Sequence, residues 1–268
     1  MKKNQAFEIL AKARNPHDAR VIIENTNNFS FIKVCYIAHA LKRGVPVAKI
    51  IHQKWFYGLK FYTNRYTLDP RPDTETLVAA VITDCGKESA PKILDLGTGT
   101  GCIISSLVKN IYGATGVGAD ISRGAIRVAR RNIKNLDLSD KVQIVRKDFS
   151  KPKAFSEQFD IIVSNPPYIA HGDTRVNIGA MYDPKIALYA NDNGLFAYKV
   201  IAQNAKNWLK PLGKIYLEIG DGQTNPVKAI FASEGWSFER TEKDLSGIER
   251  VLVFHLGNSA LSNPDFSE

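Results

Sequence analysis

Four consecutive residues, Asn165, Pro166, Pro167 and Tyr168, combine groups suited to holding a planar NH2. An amide or purine amino nitrogen is a poor nucleophile, because its lone pair is delocalised into the adjoining carbonyl or ring. Two acceptors aimed at its two hydrogens would fix the nitrogen and raise the electron density on it. The Asn165 side-chain oxygen and the Pro166 carbonyl can be those acceptors, while the two prolines stiffen the loop and remove competing N–H donors. Tyr168 offers a π-face on which a planar amide or base can stack, and that face tolerates a nearby cation. A buried acceptor pair would reject a ligand lacking the NH2, since each unpaired acceptor costs about 1–3 kcal/mol. Taken alone, the tetrapeptide reads equally well as a tight loop with a packed tyrosine.

A second group lies upstream. In DLGTGTG, residues 95–101, Gly97, Gly99 and Gly101 alternate with Thr98 and Thr100 at the end of a short apolar run. Glycines there let the chain turn sharply and let a ligand approach the backbone. The dinucleotide fingerprint needs its third glycine where this chain has Cys102, and no lysine follows the glycines, so neither a pyrophosphate loop nor a P-loop is indicated. Asp120, 19 residues after Gly101, can accept hydrogen bonds from the two hydroxyls of a ribose. A nucleoside is the ligand these residues suit.

The elements that must position both groups can be read from periodicity. Apolar runs at 92–96, 116–120, 142–146, 159–164 and 213–219 read as strands, with helical stretches at 102–110, at 122–134 after Ser122, at about 194–209 and near 225–233. Two late strands are expected near 236–240 and 248–255, and the tail from Gly257 reads as frayed. Alternation of this kind implies a mostly parallel sheet with helices on both faces and ligands at its carboxyl edge, where the glycine loop and Asn165 both fall. Before residue 70 the pattern differs. Helices are expected at 4–14, after the Asn15-Pro16 cap, after Ser30 and after Pro46, then a hairpin across 55–62. Pro70 and Pro72 enforce an extended linker, after which Asp73 can cap the next helix. The expected division is therefore a helical domain over 1–54, hairpin and linker over 55–75, and a sheet domain over 76–268.

Composition narrows the class. The 268 residues are 44% hydrophobic and 24% charged, enough for a full core. No apolar run approaches about 18 residues and no apolar stretch follows the first lysines, so neither membrane spanning nor export is indicated and a cytoplasmic protein is expected. Cys35, Cys85 and Cys102 form no CxxC pair, and His17, His39, His52, His171 and His255 lack ligand spacing, so no metal site is expected. Cys102 is read as packing, Arg127, Arg130, Arg131 and Lys134 as a solvated helix face, and Glu218 receives no role. The net charge of +9 is uneven: residues 1–70 carry 12 Lys and Arg against 4 Asp and Glu, net +8, leaving net +1 for the rest.

The glycine loop followed by Asp120 resembles the first two motifs of class I S-adenosylmethionine-dependent methyltransferases. Beyond these, RGVPVAKII (43–51), WFYGLKF (55–61), PRPDTE (70–75), YDPKIAL (182–188), NDNGLFAYKVI (191–201), LEIGDGQ (217–223) and DLSGIERV (244–251) make nearly the whole chain similar to the HemK/PrmC family of peptide chain release factor N(5)-glutamine methyltransferases. That resemblance implies an α/β Rossmann-like seven-stranded sheet with its last strand antiparallel, and a helical domain that docks the release factor. Gly97, Thr98, Gly99, Thr100, Gly101 and Asp120 would hold S-adenosyl-L-methionine, with S-adenosyl-L-homocysteine as product. Asn165, Pro166, Pro167 and Tyr168 would hold the glutamine amide of a Gly-Gly-Gln motif, Asn165 also facing the cofactor. Where the family commonly carries a tryptophan at the adenine site, Asp148 is followed here by Phe149, which offers less stacking surface.

Two alternatives stand beside this. A related ribosomal-protein glutamine methyltransferase shares NPPY but carries PRSP-like residues where this chain has PRPDTE. A nucleic-acid amino-methyltransferase acting on adenine or guanine would use the same NPPY, but about 70 extra residues leave little room for the recognition domain that base flipping usually needs.

The basic first quarter then reads as a docking face for an acidic protein, with nucleic acid not required and weak RNA contact the other use of such a surface. Electrostatic steering of this kind makes association with release factor slow down as salt rises. A rate unchanged between low and physiological ionic strength, measured by stopped-flow fluorescence, assigns the basic face another use.

Overall fold

Residues 1–86, 90–174 and 178–257 are described in this computed structural model; the tail after Gly257 lies outside them. The opening helices follow local signals closely. α1 (Lys3–Ala13) buries Ala6 and Leu10, and α2 (Pro16–Glu24) begins where the Asn15 side chain accepts from the Asp18 N–H, with Pro16 in its first turn. α3 (Phe31–Lys42) is capped by the Ser30 hydroxyl, which accepts from the Lys33 N–H, and α4 (Val47–Ile51) follows Pro46. Their inner faces form one cluster around Leu10, Ile22, Val34 and Leu41, separate from the core of the sheet.

Strands β1 (Gln53–Phe56) and β2 (Leu59–Tyr62) make an antiparallel hairpin. Its Phe56 and Phe61 are buried not among the helices but in the core beneath the large sheet. The linker departs from expectation at one residue. Asp73 does not cap the next helix: Pro72–Thr74 form a 3-10 turn that runs directly into α5 (Glu75–Asp84), leaving no extended residue at the cap position. The Asp73 carboxylate lies instead 3.3 Å from the Arg250 guanidinium.

The remaining chain alternates β3 (Lys92–Leu96), α6 (Cys102–Asn110), β4 (Thr115–Asp120), α7 (Arg123–Asn135, capped by Ser122), β5 (Val142–Arg146) and β6 (Phe159–Ser164). After short strands β7 (Ile169–Ala170) and β8 (Tyr189–Ala190) come α8 (Phe196–Asn204), β9 (Leu209–Glu218), α9 (Thr224–Ser233), β10 (Trp236–Lys243) and β11 (Glu249–Leu256). Among the described residues the sheet has seven strands in the order β10-β11-β9-β6-β3-β4-β5, parallel except for β11, which runs antiparallel to both its neighbours. β9 starts four residues earlier than its apolar pattern suggests, because Leu209 already pairs with Phe159.

Alternating strand residues feed two cores. Ile93, Val163 and Val253 face α5, α6 and α7, whereas Leu94, Ile162 and Phe254 face α8 and α9. The basic residues of α7 are exposed as expected, yet Arg131 stacks on the Tyr62 ring at 3.7 Å and Arg130 donates to the Ile144 carbonyl. No described helix is long and apolar enough to cross a membrane.

One buried ion cluster ties the helices to the sheet. Lys49 of α4 is 8% exposed, and its ammonium lies 2.8 Å from Asp69 Oδ1 and 2.9 Å from Asp183 Oδ1, the latter an ion-pair contact off the line of a hydrogen bond. It also donates to the carbonyls of Asn64 and Thr67, at 2.8 and 2.5 Å. Lys49→Met leaves Asp69 without a cation and Asp183 with Arg71 alone, and should cost roughly 3–5 kcal/mol by urea denaturation. Adding Asp69→Asn should recover much of the loss by restoring charge balance around Asp183.

Candidate active site

Between β3 and α6 the chain turns through Gly97–Gly101. The N–H groups of Gly97 and Thr98 both donate to the Ala119 carbonyl at 2.9 Å, which pins the loop to the end of β4. Gly97, Gly99 and Gly101 have φ of +73°, +55° and +78°, the left-handed region where a side chain is strained. A Cβ at Gly97 would meet no protein atom within 4 Å, so the loop borders open space. That space is a cavity of about 470 Å³, within the usual range for small-molecule sites.

Asp120 lines this cavity. Its Oδ2 accepts from the Gly99 N–H at 3.0 Å and its Oδ1 from the Ser122 N–H at 2.8 Å, leaving lone pairs on both oxygens for two ligand hydroxyls. Burial raises its pKa, and these backbone N–H groups offset part of the rise. Asp95, beneath the loop, is fully buried with its Oδ2 accepting from the Thr98 hydroxyl at 2.6 Å and its Oδ1 without a partner. Desolvation pushes its carboxyl up to about 7. Burial drives the Cys102 thiol up to about 12, which leaves it inert and agrees with a packing role.

Asn165 reaches the same cavity from the end of β6. Its Nδ2 donates to the Thr74 hydroxyl at 3.0 Å. With the NH2 engaged there, the amide oxygen is the group left to act as an acceptor. Pro167 also lines the cavity, and so does Phe149, whose carbonyl is held by Asn204. Thr98, Thr100 and Gly99 complete the same wall. Pro166 and Tyr168 stand behind it: Pro166 is buried, and the Tyr168 ring packs into the core beside α8 and α9, its hydroxyl 3.4 Å from Glu218 Oε1. Stacking of a ligand on Tyr168 would require the ring to leave that packing. Gly194 is what allows this arrangement, since a Cβ there would fall 2.1 Å from the Tyr168 carbonyl oxygen.

The far wall comes from segments that periodicity does not mark as functional. The linker contributes Arg71 and Thr74, and the stretch after the NPPY loop contributes Pro184, Ile186 and Tyr189. Arg71 donates to Asp183 Oδ2 at 2.6 Å, so the Lys49 cluster extends to the cavity's edge. His171 lies in the wall, its ring stacked on Tyr189 at 5.5 Å. Thr74 and Asp183 were visible only as parts of PRPDTE and YDPKIAL; nothing in their local pattern indicates the partners they meet 91 and 112 residues away.

The arrangement offers a glycine-rich turn and a carboxylate for a nucleoside, with an amide acceptor opposite. Residues 72–182 match the family described as methyltransferase small domain, so the chain carries a methyltransferase domain. It is 36% identical over 264 residues to the release factor glutamine methyltransferase of Agrobacterium fabrum, covering 88% of this chain and 89% of that one. It is 38% identical over 238 residues to the bifunctional methyltransferase of Rickettsia felis, covering 78% of this chain but 45% of the relative, so it spans less than half of that longer protein. Among solved structures, a methyltransferase from Pyrococcus furiosus superposes with a TM-score of 0.58 at 19% identity, covering 84% of this chain and 97% of that one, a likeness of fold.

Asp95 leads to a stability test. Its folded-state pKa, about 7, lies above its ordinary value of 3.8, so between those values the unfolded chain releases a proton that the folded chain keeps. Stability therefore falls as pH rises through that window. Asp95→Asn should flatten part of the decline in Tm between about pH 4.5 and 7.5. An unchanged slope means that Asp95 does not titrate there.

Proposed function

This chain belongs to the release factor glutamine methyltransferase family, and we propose that it moves a methyl group from S-adenosylmethionine to the side-chain amide nitrogen of the glutamine in the Gly-Gly-Gln motif of peptide chain release factors. The observation that carries this reading is the hydrogen bond from Asn165 Nδ2 to Thr74, which leaves the amide oxygen as the acceptor at the cavity. The residues present suit the cofactor: open space beside Gly97 admits a ligand against the backbone, Asp120 can receive ribose hydroxyls, and Phe149 can pack on the adenine. When bound, that cofactor supplies an electrophilic methyl on a sulfonium.

Asn165 Oδ1 accepts from one N–H of the glutamine amide, and the Pro166 carbonyl, although its residue is buried behind the cavity wall, is the loop's acceptor for the other. They orient its nitrogen toward the methyl and withdraw the hydrogens so that electron density rises on nitrogen. An N–C bond forms as the S–C bond breaks, and the displaced proton leaves to water, so no carboxylate or imidazole base is needed. Pro167 stiffens the loop, and Tyr168 braces it from behind. Helices 1–54 are the docking part, with hairpin and linker 55–75 joining them to the methyltransferase part, 76–268. Such a reaction belongs in the cytoplasm with translation.

With labelled S-adenosylmethionine, purified release factor should take up methyl, and release factor with the Gly-Gly-Gln glutamine changed to alanine should not. Asn165→Ala should reduce transfer to background while cofactor affinity changes by less than about threefold, because each lost acceptor acts on the substrate nitrogen. Label retained in the alanine release factor, or turnover by Asn165→Ala within a few-fold of wild type, would refute the reading.

A further inference from the structure

One buried carboxylate beside the site has no part in the reaction above. Glu218, at the end of β9, is 2% exposed, and its Oε2 has no hydrogen-bond partner. Thr74, itself 3% exposed, lies beside it, the Tyr168 phenol donates to its Oε1 at 3.4 Å, and the Arg250 guanidinium adds a favourable charge that Asp73 partly opposes. On its other side Thr74 Oγ1 receives the Asn165 amide N–H at 3.0 Å. Glu218, Thr74 and Asn165 thus form a chain that ends at the cavity, with members drawn from β9, the linker and β6.

A hydroxyl has a single proton. When a carboxylate accepts that proton, the Thr74 oxygen can only accept from Asn165. The amide must then turn its NH2 toward Thr74 and its oxygen away. The two ends of an asparagine amide have nearly the same shape, so the hydrogen-bond network alone decides which end faces the ligand. With Glu218 unable to accept, the Thr74 proton is free to point at Asn165 Oδ1. The amide would then reverse and present NH2 to the substrate NH2, donor against donor.

We propose that Glu218 and Thr74 are positioning residues that orient Asn165 by fixing the direction of one hydroxyl proton. The proposal rests on the acceptor role given to Asn165 above. It carries a pH dependence, since burial raises the Glu218 carboxyl to about 7. Among the groups facing it, Tyr168, Tyr198 of α8 and Cys102 of α6 stay neutral near that pH because burial raises each of their pKa values, while Arg250 of β11 stays cationic and Asp73 lies beyond it. Transfer should therefore weaken as pH falls below about 7, where Glu218 becomes a donor.

The test uses the full chain with intact release factor, comparing wild type, Thr74→Val, Thr74→Ser and Glu218→Gln for kcat, KM, cofactor affinity and pH profile. Thr74→Val should lose about tenfold or more in kcat, equivalent to about 1.4 kcal/mol, with cofactor affinity little changed. Thr74→Ser, which keeps the hydroxyl, should restore most of the rate. Glu218→Gln should flatten the acid limb, whereas any limb it retains belongs to another group such as Asp95. Wild-type kcat in Thr74→Val, or an acid limb identical in Glu218→Gln and wild type, overturns the proposal. If Thr74→Val does not fold, the pH comparison decides. Failure of the underlying reading looks different: Asn165→Ala would then keep its activity whatever Thr74 does.

Discussion

The Lys49 ammonium is the interaction on which the site's far wall depends. Its charge is shared between Asp69 of the linker and Asp183 of the stretch after the NPPY loop, and its remaining protons meet the carbonyls of Asn64 and Thr67, between the hairpin and Asp69. Burying these charges is costly unless each is paired, and here Arg71 supplies the second cation that balances the two carboxylates. The cluster therefore forms only when a helix from the first quarter, the linker and a loop from the second half come together. Arg71 and Thr74 enter the cavity wall from that same linker.

A second bridge works from the opposite side. Asn132 of α7 accepts from the Tyr62 N–H and donates to the carbonyls of Tyr62 and Thr100. One buried side-chain amide thus fastens the hairpin to the glycine loop. With Phe56 and Phe61 packed beneath the sheet, the hairpin belongs by its contacts to the methyltransferase part rather than to the helices that precede it. The uneven charge can be placed more narrowly as a result. Lys49 and Asp69 are buried against each other, so they cancel inside the molecule and the basic excess of the first quarter remains at the surface.

Local patterns specified much of this molecule. Strands 92–96, 142–146 and 159–164 and helix 102–110 match their apolar runs residue for residue, because each is bounded by a turn signal and buried on predictable faces. The caps at Asn15, Ser30 and Ser122 are equally local, since a cap side chain bonds a backbone group three residues away. The glycine loop and Asn165 were legible for the related reason that position at a strand's carboxyl end is set by order along the chain.

Tertiary structure decided what those residues meet. Asp73 had the local chemistry of a cap, but Arg250 took it, a partner 177 residues away that no window of sequence contains. Tyr168 had the type of a stacking platform, yet its ring lies inward, where Glu218 and the bare backbone at Gly194 make room for it. The direction of the Asn165 amide is the clearest case: residue type supplies an oxygen and a nitrogen of nearly equal shape, and only Thr74, brought across the fold, determines which is spent. Sequence alone therefore determined which groups stand at the sheet's edge, because helix and strand periods act over a few residues. Their orientation and partners were left to long-range packing, because a hydrogen bond or ion pair depends on distance in space.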